Sequence, residues 1–565
     1  MKHAKRIFAL LMAIIMVMGL TIHVSAAENP TITVPNDGHT YEVYQIFKAD
    51  LSEQDENIIL SNIKWGKNGS GTEGDVVAKA VLDELKSVKD STSNQEKLAV
   101  ITKYVNLTTS PIDTLSGTKL SASFAPGYYL IKDQDGSLTG NDVYTTYIVE
   151  VVDTVTISRK ASVPEVVKKV IDGEDNPATP DVKENELTVN EAAIGEDVTY
   201  NIVGTMPSNV EDFKEYFYRF TDTLSKGLTY NNNAVVKVNG VPVTEYFYIH
   251  ASTYSETNGT TITVAIKDLL ALENLTTPAV GSITKDTKVE ISYTAKVNEN
   301  AEINSANPND VDLEYSNNPN DSGDGTPGTP PTNPTEPKPE DPTGKTPKSE
   351  VETFVTEVHI NKVDEKGNAL TGAEFEITGT ALKTVMVYTD TFTESADGEY
   401  WKLKDGTYTK TAPVLEDDPA TTDKNEKTSD AYDSLTTKYA LTVVKSKQEN
   451  AETVGAKAYV GADGKLTFSG LAAGTYTIKE TKTPNGYNNI DDITLVVAFN
   501  NKTFTYVWSG GATGNTDTVT VVNQFGAELP ETGGMGTTLI YTVGGILCFA
   551  ALVLLITKKR MASEQ

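Results

Sequence analysis

Lys362, Glu480 and Asn523 lie far apart in the chain, yet each occupies the same kind of place. Each ends a run of alternating apolar residues. Val358, Ile360 and Lys362 share one face of their run, as do Tyr476, Ile478 and Glu480, and Val519, Val521 and Asn523, because strand side chains alternate between faces. The apolar members mark that face as the inner one. An amine, a carboxyl and an amide would then meet in one apolar interior, where each is costly without a partner. Burial disfavours charge, so an amine and a carboxyl held there together can both be neutral. A neutral amine is a nucleophile, and a protonated carboxyl can polarise an amide and relay a proton to departing ammonia. The product is a Lys–Asn isopeptide bond, made once and without turnover. The same residues also fit a buried Lys362–Glu480 ion pair with Asn523 as a hydrogen-bonding neighbour, and residue types alone leave both readings open.

A second set repeats the pattern. Val166, Lys168 and Val170 share one face, with Lys169 as the rival in the opposite register. Phe220 and Asp222 alternate in Tyr218–Leu228, and Val311, Leu313, Tyr315 and Asn317 alternate in a later run. The plain alternative for Asp222 is a turn or cap residue. Nearer the N-terminus, Lys48 and Asp133 lie in strand-like runs, but the last strand there offers no inward Asn, so no crosslink is expected in that region.

The elements that must hold these residues are mostly strands. Residues 27–160 read as an α-decorated β domain, with helices expected around Val76–Leu85 and Leu98–Val105. Residues 161–320 are β-rich, with an amphipathic stretch at Val210–Phe220 read as a helix over a sheet edge. Residues 321–350 read as a linker: eight of the chain's 24 prolines fall there, among Gly, Thr and acidic residues. Residues 351–528 form a third β-rich unit, in which 410–455 reads as a polar surface insertion. The fold class expected is all-β: tandem immunoglobulin-like or prealbumin-like β-sandwich domains, the first with added helices.

The ends give an address. Residues 1–26 read as a signal peptide, with Lys2, Lys5 and Arg6 before an apolar stretch and Val24-Ser25-Ala26 at a cleavage site. Residues 529–565 carry Leu529-Pro530-Glu531-Thr532-Gly533, an apolar transmembrane run from Leu539 to Ile556, and Lys558-Lys559-Arg560. This order resembles the cell-wall sorting signal of Gram-positive surface proteins, an LPXTG motif before a span and a basic tail. The resemblance implies that a sortase cuts between Thr532 and Gly533 and joins the Thr532 carboxyl to an amine.

The stretch around Glu480, the opening Val358–Phe375 and the ending Val521–Gly534 resemble sortase-assembled backbone pilins with Cna-B-type domains. In that family Lys and Asn form an isopeptide bond and an acid promotes it; carried over, these are Lys362, Asn523 and Glu480. Residues 161–320 resemble the Cna-A-like middle domain of the same proteins, which assigns Lys168, Asn317 and the acid Asp222. Backbone pilins join head to tail through a lysine at the end of the first domain. The corresponding residue here is Lys160, although the family's Tyr-Pro pair before it is missing.

The resemblance implies a structural shaft subunit of a covalently polymerised, wall-anchored, extracellular pilus that supports adhesion. Its implied partners are pilin-type and housekeeping sortases, identical subunits, accessory pilins and peptidoglycan; a host surface ligand is not identified by the sequence. The alternative is a monomeric wall-anchored adhesin.

Composition narrows the rest. The 565 residues carry a formal charge of −30, which repels phosphate backbones and argues against nucleic-acid binding. One cysteine, Cys548, and five histidines, of which only His39, His250 and His359 lie beyond the N-terminal stretch, allow no disulfide framework and no His/Cys metal cluster. That count leaves a carboxylate-bound Ca²⁺ open, and no metal or cofactor is assigned. An enzyme is not expected either: no His-based dyad, phosphate loop or nucleophile elbow is present.

Overall fold

The computed structural model describes residues 30–553 except 55–56, 88–99, 139–141, 159–161, 172–185, 320–321, 324–327, 329, 341, 405, 407, 414–430, 501–502, 512–515 and 527–540. The signal peptide, the Leu529–Gly533 motif and Lys160 lie outside these residues. Of the expected span, 541–553 is described and helical, while 539–540 and 554–556 lie outside; no described helix is long and apolar enough to cross a membrane.

The architecture is mostly β. In the first domain a five-stranded sheet centres on Thr40–Gln54, paired with Asn57–Trp65, Gly127–Asp133 and Asp113–Ser116. A three-stranded sheet packs near it around Thr31–Thr33. The helix expected at Val76–Leu85 forms as Lys79–Ser87; of the second expected helix, residues 100–101 are helical and run into a 3₁₀ turn at Thr102–Tyr104, while 98–99 lie outside the described residues.

The second domain is a sandwich of two seven-stranded sheets. One sheet holds Val166–Ile171, Asp197–Thr205 and Lys288–Val297 side by side. The other holds Ser349–Phe354, Ala306–Ser316, Tyr218–Leu224 and Thr260–Ile266. Two strands alternate cleanly: Val166–Ile171 buries positions 166, 168 and 170, and Tyr218–Leu224 buries 218, 220, 222 and 224. Side chains cross closely between sheets. A Cβ at Gly204 would lie 2.5 Å from the Tyr218 hydroxyl, so only glycine fits there.

Two expectations need correction. Val210–Phe220 is not a helix: Val210–Asp212 is a 3₁₀ turn and Tyr218 already begins a strand. Its apolar residues Phe213, Tyr216, Phe217 and Tyr218 are buried all the same. The linker also ends earlier than 350. Thr343–Lys345 and Ser349–Phe354 pair with Ala306–Ser316 and complete the second domain, which reaches Phe354. In Ser-Glu-Val-Glu-Thr-Phe, Val351 and Phe354 are buried and the intervening acids lie outward or part-way out.

The third domain packs two five-stranded sheets. Its first strand, Thr356–Asp364, lies between Lys465–Leu471 and the last strand, Thr518–Asn523, and pairs with the latter in parallel. The polar segment 410–455 is not all loop: Tyr439–Gln448 pairs along its whole length with Val385–Glu394 as an exposed extension of the sheet. The second and third domains meet through residues 192–195. Ile194 N–H donates to the Gly470 carbonyl (3.0 Å) and its own carbonyl accepts from Thr384 N–H (2.8 Å).

Candidate functional site

Two buried clusters of charged and amide side chains lie inside the second and third sandwiches. In the third domain, parallel pairing sets Lys362 opposite Val521 and Asp364 opposite Asn523. Lys362 and Asn523 therefore point into the core from neighbouring strands, two residues apart in register. Both are fully buried, and Glu480 is 4 % exposed. Glu480 comes from the facing sheet, at the end of the Gly474–Lys482 strand. The three residues assigned from sequence meet, on the inner faces expected.

The contacts are specific. Asn523 Nδ2 donates to both Glu480 oxygens at 3.0 Å, while Thr483 Oγ1 donates to Glu480 Oε2 at 3.2 Å. Among the described residues, Lys362 Nζ donates to the Val363 and Val521 carbonyls alone, at 3.2 and 3.3 Å. Burial lowers the amine's pKa from 10.5 to about 8, against the opposing pull of the Glu480 charge. Among the described atoms Asn523 Oδ1 is buried without a hydrogen-bond partner, an expensive state for an acceptor. An ion pair closed directly between Lys362 and Glu480 is not formed.

In the second domain, burial decides between the two lysines. Lys168 is 1 % exposed and lies between buried Val166 and Val170, whereas Lys169 faces partly outward. Lys168 Nζ donates to Asp222 Oδ1 at 2.5 Å and to the Tyr293 hydroxyl at 3.0 Å, and also to Asn309 Oδ1. Asn309 Nδ2 donates to the same hydroxyl at 2.8 Å, and that hydroxyl donates to Asp222 Oδ2 at 2.8 Å. Burial lowers the Lys168 pKa to about 8 and raises that of Asp222. Asp222 is thus no turn or cap residue but a buried partner of the amine. Lys168 comes from one sheet, Asp222 and Asn309 from the other.

Asn317 is displaced from this pocket. It lies just beyond the Ala306–Ser316 strand, where its carbonyl accepts from Tyr144 N–H (2.7 Å) and its Nδ2 donates to the Asp142 carbonyl (3.3 Å). It therefore joins the first domain to the second. The amide beside Lys168 belongs to Asn309, which is fully buried. The signal was present in the sequence: Asn309, Val311, Leu313 and Tyr315 all share the buried face. Tyr293 was also missed, since Val289, Ile291 and Tyr293 read as ordinary core.

In the first domain Lys48 pairs with Glu73 at 3.0 Å near the surface. Asp133 is buried and bonds His39 Nδ1 at 2.7 Å and the Thr145 hydroxyl at 2.8 Å. Among the described residues no group of His, Cys, Asp and Glu is arranged to hold a metal ion.

Residues 194–319 match the family model described as Gram-positive pilin backbone subunit 2, Cna-B-like domain. That description differs from the Cna-A-like resemblance drawn from the sequence for this domain. Residues 424–511 match the prealbumin-like fold domain. No curated protein matches the chain in sequence. Similar solved structures include the T6 backbone pilin of serotype M6 Streptococcus pyogenes, at 14% identity and TM-score 0.43, covering 89% of this chain and 100% of that one. The full-length major pilin SpaD of Corynebacterium diphtheriae is 16% identical with TM-score 0.39, covering 90% and 99%. The full-length major pilin RrgB of Streptococcus pneumoniae is 15% identical with TM-score 0.37, covering 88% and 100%.

Proposed function

Since this chain is a Gram-positive pilin backbone protein, we propose that it forms the shaft of a surface pilus by covalent head-to-tail joining, with two of its three domains sealed by internal isopeptide bonds. The observation that carries the sealing is the burial of an amine, an acid and an amide together in each of two sandwiches. The pairs are Lys362–Asn523, promoted by Glu480, and Lys168–Asn309, promoted by Asp222. Each amine has its pKa lowered by burial, so a usable fraction is neutral and nucleophilic near neutral pH.

In this reading a pilin-type sortase cuts after Thr532 and joins its carboxyl to Lys160 of the next subunit; a housekeeping sortase joins the last subunit to peptidoglycan. Tension then enters each subunit at Lys160 and leaves at Thr532. The first domain hangs beside that path, and the second and third lie on it. The first and last strands of the third domain are parallel neighbours, so pulling the chain ends loads their ladder in shear. A covalent tie between Lys362 and Asn523 carries that load in place of the hydrogen bonds.

Cell-wall extracts run under denaturing conditions test the joining. A shaft subunit gives a ladder of SDS-resistant multimers that collapses to monomer in Lys160→Ala. A single species in the unaltered strain would support the monomeric adhesin instead.

A further inference from the structure

In the second pocket the two nitrogens that must exchange a proton are bridged by one hydroxyl. Tyr293 Oη accepts from Lys168 Nζ at 3.0 Å and from Asn309 Nδ2 at 2.8 Å, and donates to Asp222 Oδ2 at 2.8 Å. Asp222 makes its hydrogen bond to the amine and none to the Asn309 amide among the described contacts. The third pocket is built otherwise, because there Glu480 itself receives the Asn523 amide on both oxygens. An acid that touches the leaving nitrogen can deliver a proton to it directly; Asp222 cannot.

We propose that Tyr293 is a catalytic residue of bond formation in the second domain, passing a proton from the attacking Lys168 nitrogen to the ammonia that leaves Asn309. The proposal rests on reading Lys168 and Asn309 as the bond-forming pair. The Lys168 ammonium first gives one proton to Asp222 Oδ1, leaving a neutral amine and a neutral carboxyl. The amine then forms a bond to Asn309 Cγ. Its second proton moves to Tyr293 Oη as the tyrosine's own proton, turned away from Asp222 Oδ2, moves to Nδ2. The Cγ–Nδ2 bond breaks, ammonia leaves, Tyr293 recovers its hydroxyl and Asp222 ends protonated.

The setting suits the role. Tyr293 is buried, and its ring is held against Tyr200 and Tyr230, with centroids 5.4 and 5.5 Å away. Burial and the Asp222 charge push the phenol well above its ordinary pKa, so at neutral pH it keeps the proton it must give.

The test uses the whole mature chain, recovered unfolded and unreacted from inclusion bodies and then refolded. Peptide mass spectrometry follows each bond after fluorescence reports folding complete. Tyr293→Phe should form the third-domain bond at the normal rate and the Lys168–Asn309 bond about a hundredfold more slowly or worse, the usual scale of a lost proton-transfer group. Tyr230→Phe, which alters a neighbouring ring whose hydroxyl accepts from Ala234 N–H, should behave as the unaltered chain. A normal rate in Tyr293→Phe overturns the proposal. Absence of the bond in the unaltered chain overturns the underlying reading instead. Should Tyr293→Phe not fold, a proton inventory of the unaltered chain in mixed light and heavy water decides: a bowed plot, from two protons in flight, supports the relay, and a straight one contradicts it.

Discussion

Lys168 and Asn309 face each other from opposite sheets of the second sandwich, with the amine donating to the amide oxygen. The tie they would make crosses the core rather than joining strand neighbours, unlike that between Lys362 and Asn523. It therefore holds the two layers together where a shearing load would slide them.

The first prediction separates the two asparagines. Asn309→Ala should give the second domain the plain mass of its altered sequence, without the deficit of one ammonia, about 17 Da by the stoichiometry of amide formation, that the unaltered domain shows. Asn317→Ala should leave the bond intact and loosen only the contact between first and second domains. Intact mass and limited proteolysis of the two variants check this.

A second prediction concerns stability. Glu480→Gln keeps the shape of the pocket but removes the acid, so Lys362 and Asn523 should stay unjoined. The lost tie closes a loop of roughly 160 residues and, if it behaves as a disulfide does, contributes on the order of 5 kcal/mol. Thermal unfolding should show the third domain melting well below its position in the unaltered chain, with the second domain unmoved.

The third prediction is a pH dependence. With the Lys168 and Lys362 pKa values at about 8, about one amine in eleven is neutral at pH 7, against about one in three thousand for a lysine at 10.5. Because the reacting pair, neutral amine with protonated acid, carries the same single proton as the ammonium–carboxylate pair, bond formation on refolding should be level through neutral pH and slow about tenfold per pH unit above about 8. In Asn523→Ala, where Lys362 stays free, the unfolded chain binds the extra proton between about pH 8 and 10.5, so stability should rise with pH across that window, by up to about 3 kcal/mol. A fall across the same window would contradict the lowered pKa.

A fourth prediction follows from where the ties end. Between Asn309 and Lys362 the load path has no covalent bypass, and it includes Ser349–Phe354, held by hydrogen-bonded ladders to Ala306–Ser316 on one side and Val189–Glu191 on the other. Stretching one molecule from Lys160 to Thr532 should release this segment, with no more than about 180 Å of contour gained at the extended-chain reach per residue. Extension approaching the contour of the full second or third domain would mean that the ties are absent.

The third pocket was legible because its strands carry buried Val, Ile and Tyr up to the reactive residue, so simple alternation placed Lys362, Glu480 and Asn523. The second pocket was harder. Alternation from Val311 to Tyr315 was carried one step too far, to Asn317, after the strand had ended at Ser316. Run the other way it reaches Asn309, but Pro308 and Asp310 beside it resemble turn chemistry, and only the pairing with Tyr218–Leu224 and Ser349–Phe354 shows that the strand begins earlier. Tyr293 gave no signal of its own, since a buried tyrosine in a strand is ordinary core until its hydroxyl's partners are known. The strand at Ser349–Phe354 was hidden by the prolines before it, because composition marks a linker over a window while alternation over six residues is brief.

The account turns on whether folding joins side chains inside these two cores. Proteolysis of the refolded mature chain followed by tandem mass spectrometry tests it most directly. The account predicts two branched peptides, one joining the Lys168 and Asn309 segments and one joining those of Lys362 and Asn523, each lighter by one ammonia. Linear peptides with free Lys168, Asn309, Lys362 and Asn523 would contradict it.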